Sequence, residues 1–245
     1  SALLVALLVP RSAAPVSPTP GPDDKRSGPT GYVASLREGF AHLRADRLLL
    51  GIAVMVLVTN LVDQASGSVL MPVWSKDVTG SSVALGLMAG VFGIGAVSGN
   101  LVLTWLAPRL PRRTTYGWCF LLAGAPRFFV MALAGSVSPV LLVLAVAGFG
   151  AGGINPILGA VEYERVPAHL QARVLGALGA LAWAGIPVGA LAGGLAVETL
   201  GLRPTLVVAG LVYLLTTLSP FVFPAWRGME RAVDEPVHEP VPAAV

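Results

Sequence analysis

Residues 128–161 read FFVMALAGSVSPVLLVLAVAGFGAGGINPILGAV, 34 residues without one Asp, Glu, Lys or Arg. A helix needs about 20 largely apolar residues, at 1.5 Å each, to cross the ~30 Å hydrocarbon core of a bilayer. This stretch is long enough to do so, and it is continuous rather than alternating over about ten residues as the strands of a membrane barrel are. Working outward, uncharged runs recur at 78–108 (31 residues), 174–197 (24) and 204–226 (23). Two further segments qualify with one interior charge each: 48–72, which carries Asp63, and 114–135, which carries Arg127. The reading is an all-α membrane protein with six transmembrane helices, at about 48–72, 83–107, 114–135, 138–163, 171–197 and 204–226, together forming one domain over 48–226.

Composition agrees. Of 245 residues, 55% are hydrophobic and 12% charged, about half the charged share of an ordinary soluble domain. A soluble chain of this size could not bury so much apolar surface. Disorder is excluded although there are 29 Gly and 20 Pro, because it requires low hydrophobicity and the mean hydropathy here is +0.76. A soluble enzyme, a nucleic-acid-binding domain and a coiled coil are excluded on the same ground, and the net charge of +3 is too small for a basic patch. One cysteine, Cys119, leaves no internal disulfide framework and no Cys-based zinc site. Neither a metal nor a cofactor is implied. H-E-x-x-H, G-x-S-x-G and a Walker lysine are all missing, and the formal G-x-G-x-x-G at Gly148–Gly153 lies inside a span with no strand before it, so it reads as helix packing.

Outside the spans, residues 2–9 are apolar but reach only about 12 Å as a helix, and residues 1–10 read as the end of a preceding transmembrane helix in a longer protein. Residues 11–47 form a connection. Its first part is rich in Pro, Ser, Gly and Asp, as a flexible linker is. Its second part, 32–47, places Val33, Leu36, Phe40 and Leu43 at helical spacing among charged residues, the pattern of an amphipathic helix at the membrane surface. Residues 227–245 are a polar tail. Of the 16 basic residues, 13 fall in the linker, the tail and two loops on one side, two fall in the opposite loops, and Arg127 lies within a span. The positive-inside rule then puts both termini in the cytoplasm of a multi-pass plasma (inner) membrane protein. The 14 Arg against 2 Lys suggest a bacterial source.

Several residues inside the spans are candidates for chemistry. Asn60, Asp63, Gln64 and Gly67 share one face of the first span. An Asp near mid-bilayer costs roughly 2.5–3.5 kcal/mol and so faces the bundle or a wet cavity, either as a substrate or proton site or as a polar contact between helices. Arg127 lies within about 3 Å of the same depth, counted along the two helices. It either pairs with Asp63 or snorkels to the far interface. On the fourth span Asn155 and Glu162 share a face with Gly148, Gly152 and Gly159. They are cavity-lining candidates, with close packing and an interfacial Glu as the alternative. Gly185, Gly189 and Gly193 flank Pro187 at every fourth position, and Gly86/Gly90 and Gly95/Gly99 repeat the device in the second span, so closely packed helices are expected.

These pieces resemble the C-terminal half of a major facilitator superfamily transporter over about residues 31–226. The loop Leu106-Ala-Pro-Arg109-Leu-Pro-Arg112-Arg113 is similar to that family's cytoplasmic L-a-D-R-x-G-R-R pattern, with Pro108 where Asp is expected and Pro111 where Gly is expected. The acidic member that would pair with a facing helix end is therefore absent. The stretch Leu36–Phe40, the segment Arg165–Val174, and Gly201-Leu-Arg-Pro204 are similar to the branch containing macrolide and enterobactin exporters, and Gly185–Gly194 resembles the exporters' glycine-proline motif. The resemblance implies half of a rocking transporter that exports a drug-like or siderophore-like small molecule in exchange for protons, partnered by an N-terminal six-helix half absent here. It also implies a gating role for Arg109, Arg112 and Arg113, and a binding role for Asp63, Asn60, Gln64 and Asn155. The competing readings are a non-transporting fragment or scaffold, or a unit that needs a dimer partner.

Overall fold

Asp46 separates the surface helix from the first crossing. Its carboxylate accepts hydrogen bonds from the backbone N–H of Leu48 (2.9 Å) and Leu49 (3.3 Å), capping the helix that follows. Burial pushes this carboxyl up, but the Arg165 guanidinium and the two backbone donors outweigh it and hold it below the ordinary carboxylate value. In the computed structural model, which describes residues 29–230, the surface helix therefore runs Pro29–Ala45 and the first span begins at Arg47. The expectations for residues 1–28 and for most of the tail lie outside the described residues. Among the described residues six helical segments are long and apolar enough to cross a membrane: Arg47–Thr79, Ser82–Arg109, Arg112–Leu133, Val137–Arg165, Ala168–Leu200 and Leu202–Val222. The protein is an all-α, multi-pass membrane protein.

Three spans depart from uninterrupted helices, each at a proline. The first span carries a π-helical turn at Ser66–Leu70 and then continues as Met71–Thr79, beyond the expected end at 72. Pro72 lacks an N–H and clashes with the carbonyl four residues back, and the wider turn before it relieves both problems. The third span is two helices, Arg112–Ala123 and Ala125–Leu133, broken at Gly124. Pro126 has no N–H to bond the carbonyl four residues back and clashes with it, so it sits in the first turn of a new helix rather than inside one; a Cβ on Gly124 would run into the Tyr213 ring. The sixth span is helical over Leu202–Thr217, restarts as a single turn at Ser219–Val222 beside Pro220, and passes into a 3₁₀ segment, Pro224–Met229, where one helix to 226 was expected. Two tight turns rest on glycines with positive φ, Gly80 (63°) and Gly201 (85°), a conformation that side chains with a Cβ rarely adopt.

The first span packs on the fifth, the second on the fourth, and the third on both the fourth and the sixth. Exchanging the first three spans for the last three relates the first–fifth seam to the second–fourth seam, but not the rest: the third packs closely on the fourth, while the sixth touches the first only lightly. Both major seams use small residues. A Cβ on Gly99 would collide with the Phe149 carbonyl, and one on Gly148 with the Phe92 carbonyl; one on Gly189 would collide with the Leu61 carbonyl. Gly185 and Gly193 join the latter seam, against Leu57 and Ala65. Gly86 and Gly90 differ: a Cβ there would meet nothing within 4 Å, so that pair closes no contact among the described residues. The surface helix docks on the fifth span, where Leu43 is buried with Leu49, Val174 and Leu178, and Glu38 pairs with Arg173 at 2.9 Å. Its apolar stripe thus packs partly against protein rather than only against lipid.

Candidate functional site

The first span sets one wall of a cavity of about 410 Å³. Val56, Asn60 and Asp63 fall at i, i+4 and i+7, so a regular helix aims all three the same way. The fourth span supplies Asn155 and Glu162 from the facing wall, two turns apart on one stripe. Phe92, Phe120, Trp183 and Tyr213 complete an aromatic lining from four other helices.

Arg127 enters this cavity because the third span breaks. It is the third residue of the half-helix that restarts after Gly124, and its guanidinium forms an ion pair with Asp63 across 64 positions of sequence. The pair is asymmetric: the Arg127 side chain is 8% exposed and that of Asp63 is 41% exposed. The arginine lies over the Phe128 ring (4.8 Å to the centroid) and near that of Tyr213 (5.9 Å), so aromatic faces cover the cation that the carboxylate does not. Its Nε has no hydrogen-bond partner among the described residues. A buried guanidinium donor left open beside a cavity can take an acceptor from a ligand or water, and a half-exposed carboxylate can take a proton or a cation.

The remaining candidates sort by geometry. Asn60 reaches the cavity, but its side-chain N–H₂ donates to the Ala182 carbonyl at 2.9 Å, so it also ties the first span to the fifth. Gln64, one turn further along, is not in the lining; its amide donates to the Ser68 hydroxyl at 2.6 Å on the same helix. Gly185, Gly189 and Gly193 hold the fifth span against the first from behind the cavity, with Pro187 inside that helix.

The arginine loop forms a separate cluster at the arginine-rich end. Arg112 makes a bidentate pair with Glu164 (2.5 and 2.7 Å). Arg113 donates to the carbonyls of Pro220 (2.6 Å) and Phe221 (3.0 Å). Arg109 stacks on Trp105 at 5.3 Å. Glu230 brings an acidic group to this loop: its carboxylate accepts from the backbone N–H groups of Arg112 and Arg113, both at 3.2 Å, at the N-terminus of the third span. Glu230 is absent from the sequence-based candidates. Its only sequence signal is an acid placed a few residues past the last apolar run. The aromatic lining is likewise absent from them, because aromatics within a span look the same whether they face lipid or a cavity. No group of three or more His, Cys, Asp or Glu that could hold a metal occurs among the described residues.

Comparison with known proteins gives a consistent answer. Residues 56–244 match the model of the Major Facilitator Superfamily. The chain is 31% identical over 219 residues to the multidrug efflux pump Tap of Mycobacterium tuberculosis, covering 89% of this chain and 52% of that protein. It is 28% identical over 200 residues to the protein of the same name from Mycolicibacterium fortuitum, covering 82% and 48%. The chain thus spans about half the length of these relatives. No solved structure matches it significantly. With three quarters of its length matched by the family model and a six-span helical bundle to match, the chain belongs to the major facilitator superfamily.

Proposed function

We propose that this chain is one half of a proton-coupled exporter of drug-like or siderophore-like small molecules, working by alternating access in the inner membrane of a bacterium. The arginine-rich end faces the cytoplasm on the positive-inside rule. A second six-helix half supplies the opposite wall of the cavity, and rocking between the halves exposes it to each side in turn. The names of the mycobacterial relatives support efflux as the direction of transport.

The observation that carries this reading is the Asp63–Arg127 pair in the cavity wall. A proton arriving on Asp63 removes the charge that Arg127 binds, so protonation and the state of the cavity are coupled at one contact. Asn155 and Glu162 add polar groups, and Phe92, Phe120 and Trp183 add apolar surface, a mixture suited to an amphiphilic molecule rather than a small ion.

The test is Asp63→Asn in the full-length protein, which keeps the shape of the side chain and removes its titration. Insertion is expected to be normal, and dye or macrolide accumulation should match that of cells lacking the protein and no longer respond to collapse of the proton gradient. Wild-type efflux from the variant would remove Asp63 from the mechanism. Asp63→Arg combined with Arg127→Asp is expected to recover folding lost in either single variant; absence of recovery would show that the pair does not hold the bundle together.

A further inference from the structure

The first span has a second working face. Val54 and Val58 lie two residues from Val56 and Asn60, hence about 200° around the helix and directed away from the central cavity. On that side the first and sixth spans diverge into a groove of about 800 Å³, walled by Gly51, Val54, Val58, Leu215 and Phe223 and floored by Trp226. The groove extends from Arg47 at the arginine-rich end to Val58. Those 11 residues of rise span about 16 Å, close to the ~15 Å thickness of hydrocarbon in one leaflet.

Two polar groups mark its mouth. Arg47 is exposed and has neither an acidic nor a hydrogen-bonding partner among the described residues. The neighbouring Arg165 is already paired with Asp46 at 2.5 Å, so Arg47 gives the mouth its net positive charge. Trp226 is only 3% exposed and its indole N–H donates to no described residue, but Nε1 is not one of the fully buried polar atoms without a partner, so it keeps some access. That edge of the ring faces Gly51: a Cβ there would sit 3.8 Å from Nε1. Gly51 is one turn past Arg47, about 6 Å deeper along the helix. A cation at the surface, an indole N–H donor about one turn below it and an apolar channel one leaflet long match, in order, a phosphate, an ester carbonyl and an acyl chain.

We propose that this groove is a binding site for one anionic phospholipid of the arginine-rich leaflet, its phosphate on Arg47, an ester carbonyl on the Trp226 N–H and an acyl chain along Val54 and Val58. A single uncompensated cation distinguishes anionic from zwitterionic headgroups, as basic pockets between transmembrane helices do. The site is on the far side of the first span from Asp63, and the proposal stands independently of the transport reading.

The test uses the full-length protein in phosphatidylcholine vesicles doped with phosphatidylglycerol or phosphatidylcholine bearing the same photoactivatable acyl chain, with labelled peptides mapped by mass spectrometry. Peptides covering 47–58 and 215–226 should take up the phosphatidylglycerol probe about fivefold more than the phosphatidylcholine probe. Arg47→Gln, which breaks no contact within the fold, should abolish that preference while leaving total labelling similar. Gly51→Leu, which fills the floor beside Trp226, should lower labelling by both probes. Equal labelling by the two headgroups, or a preference that survives Arg47→Gln, would overturn the proposal. So would chemical crosslinking of two copies through these same peptides, since the groove would then be a protein interface.

Discussion

Two seams hold the bundle together, and they are built differently. Between the second and fourth spans glycine lies on both helices: Gly95 and Gly99 face Ala145 and Phe149, while Gly148 and Gly152 face Phe92 and Ala96, so backbone meets backbone in both directions. Between the first and fifth spans glycine lies on one helix only, and Gly185, Gly189 and Gly193 meet Leu57, Leu61 and Ala65. Each seam also carries one asparagine that donates to a carbonyl of the opposite helix, Asn100 to Gly152 (3.2 Å) and Asn60 to Ala182 (2.9 Å). Both seams carry the same device, distributed unequally. The seam that borders the Asp63 cavity meets Leu61 backbone at Gly189 but leucine side chains at Gly185, and these can rotate to absorb a displacement. A two-sided glycine seam has only rigid backbone to offer.

This contrast is open to test by thermal unfolding in detergent, followed through the reactivity of the buried Cys119 thiol. Gly99→Leu should have the largest effect, because the new side chain meets the Phe149 backbone with no side chain to displace; a loss at or above the ~1–3 kcal/mol typical of overpacking is expected. Gly185→Leu should destabilise by less, within that range, since its contacts are longer and two of them are the side chains of Leu57 and Leu61. A larger loss at Gly185 than at Gly99 would reverse the assignment of the rigid seam. Asn60→Ala and Asn100→Ala should each cost about 0.6 kcal/mol, the mean for a hydrogen bond between membrane helices. Only Asn60→Ala should also alter transport, because only Asn60 lines the cavity. Smallest of all, Gly86→Ala should leave the unfolding midpoint within about 0.5 kcal/mol of wild type, as for a substitution that meets no neighbour.

The sequence reading of the spans rested on length and hydropathy, which are local properties, and the six segments of the structure correspond to it. The breaks at Gly124 and around Pro220 were less legible. A proline within an apolar run can kink, break or start a helix, and the Tyr213 ring packed against Gly124 comes from 89 positions away. Site geometry was legible where one helix suffices, as for Asn60 and Asp63. Gln64 shows the limit of that argument, since helical periodicity gives direction around the axis but not where a cavity ends. The two arginine readings divide in the same way. Pro108 shows by itself that the loop has lost its acid, but nothing local indicates that Glu230, 118 positions beyond Arg112, takes up the N-terminus of the third span.

The sequence by itself determined that lipid surrounds this chain and that six segments between residues 48 and 226 are long and apolar enough to cross a bilayer. These follow from transfer free energies, which each segment carries regardless of its neighbours. Only the tertiary structure decided which way each face points: that Arg127 lies on Asp63 rather than in the far interface, that Gly95 and Gly99 close a seam where Gly86 and Gly90 do not, and that the first span lines a polar cavity on one side and an apolar groove on the other. Hydropathy sums a helix over its circumference, whereas packing depends on direction, and direction is set by neighbours brought together from distant parts of the chain.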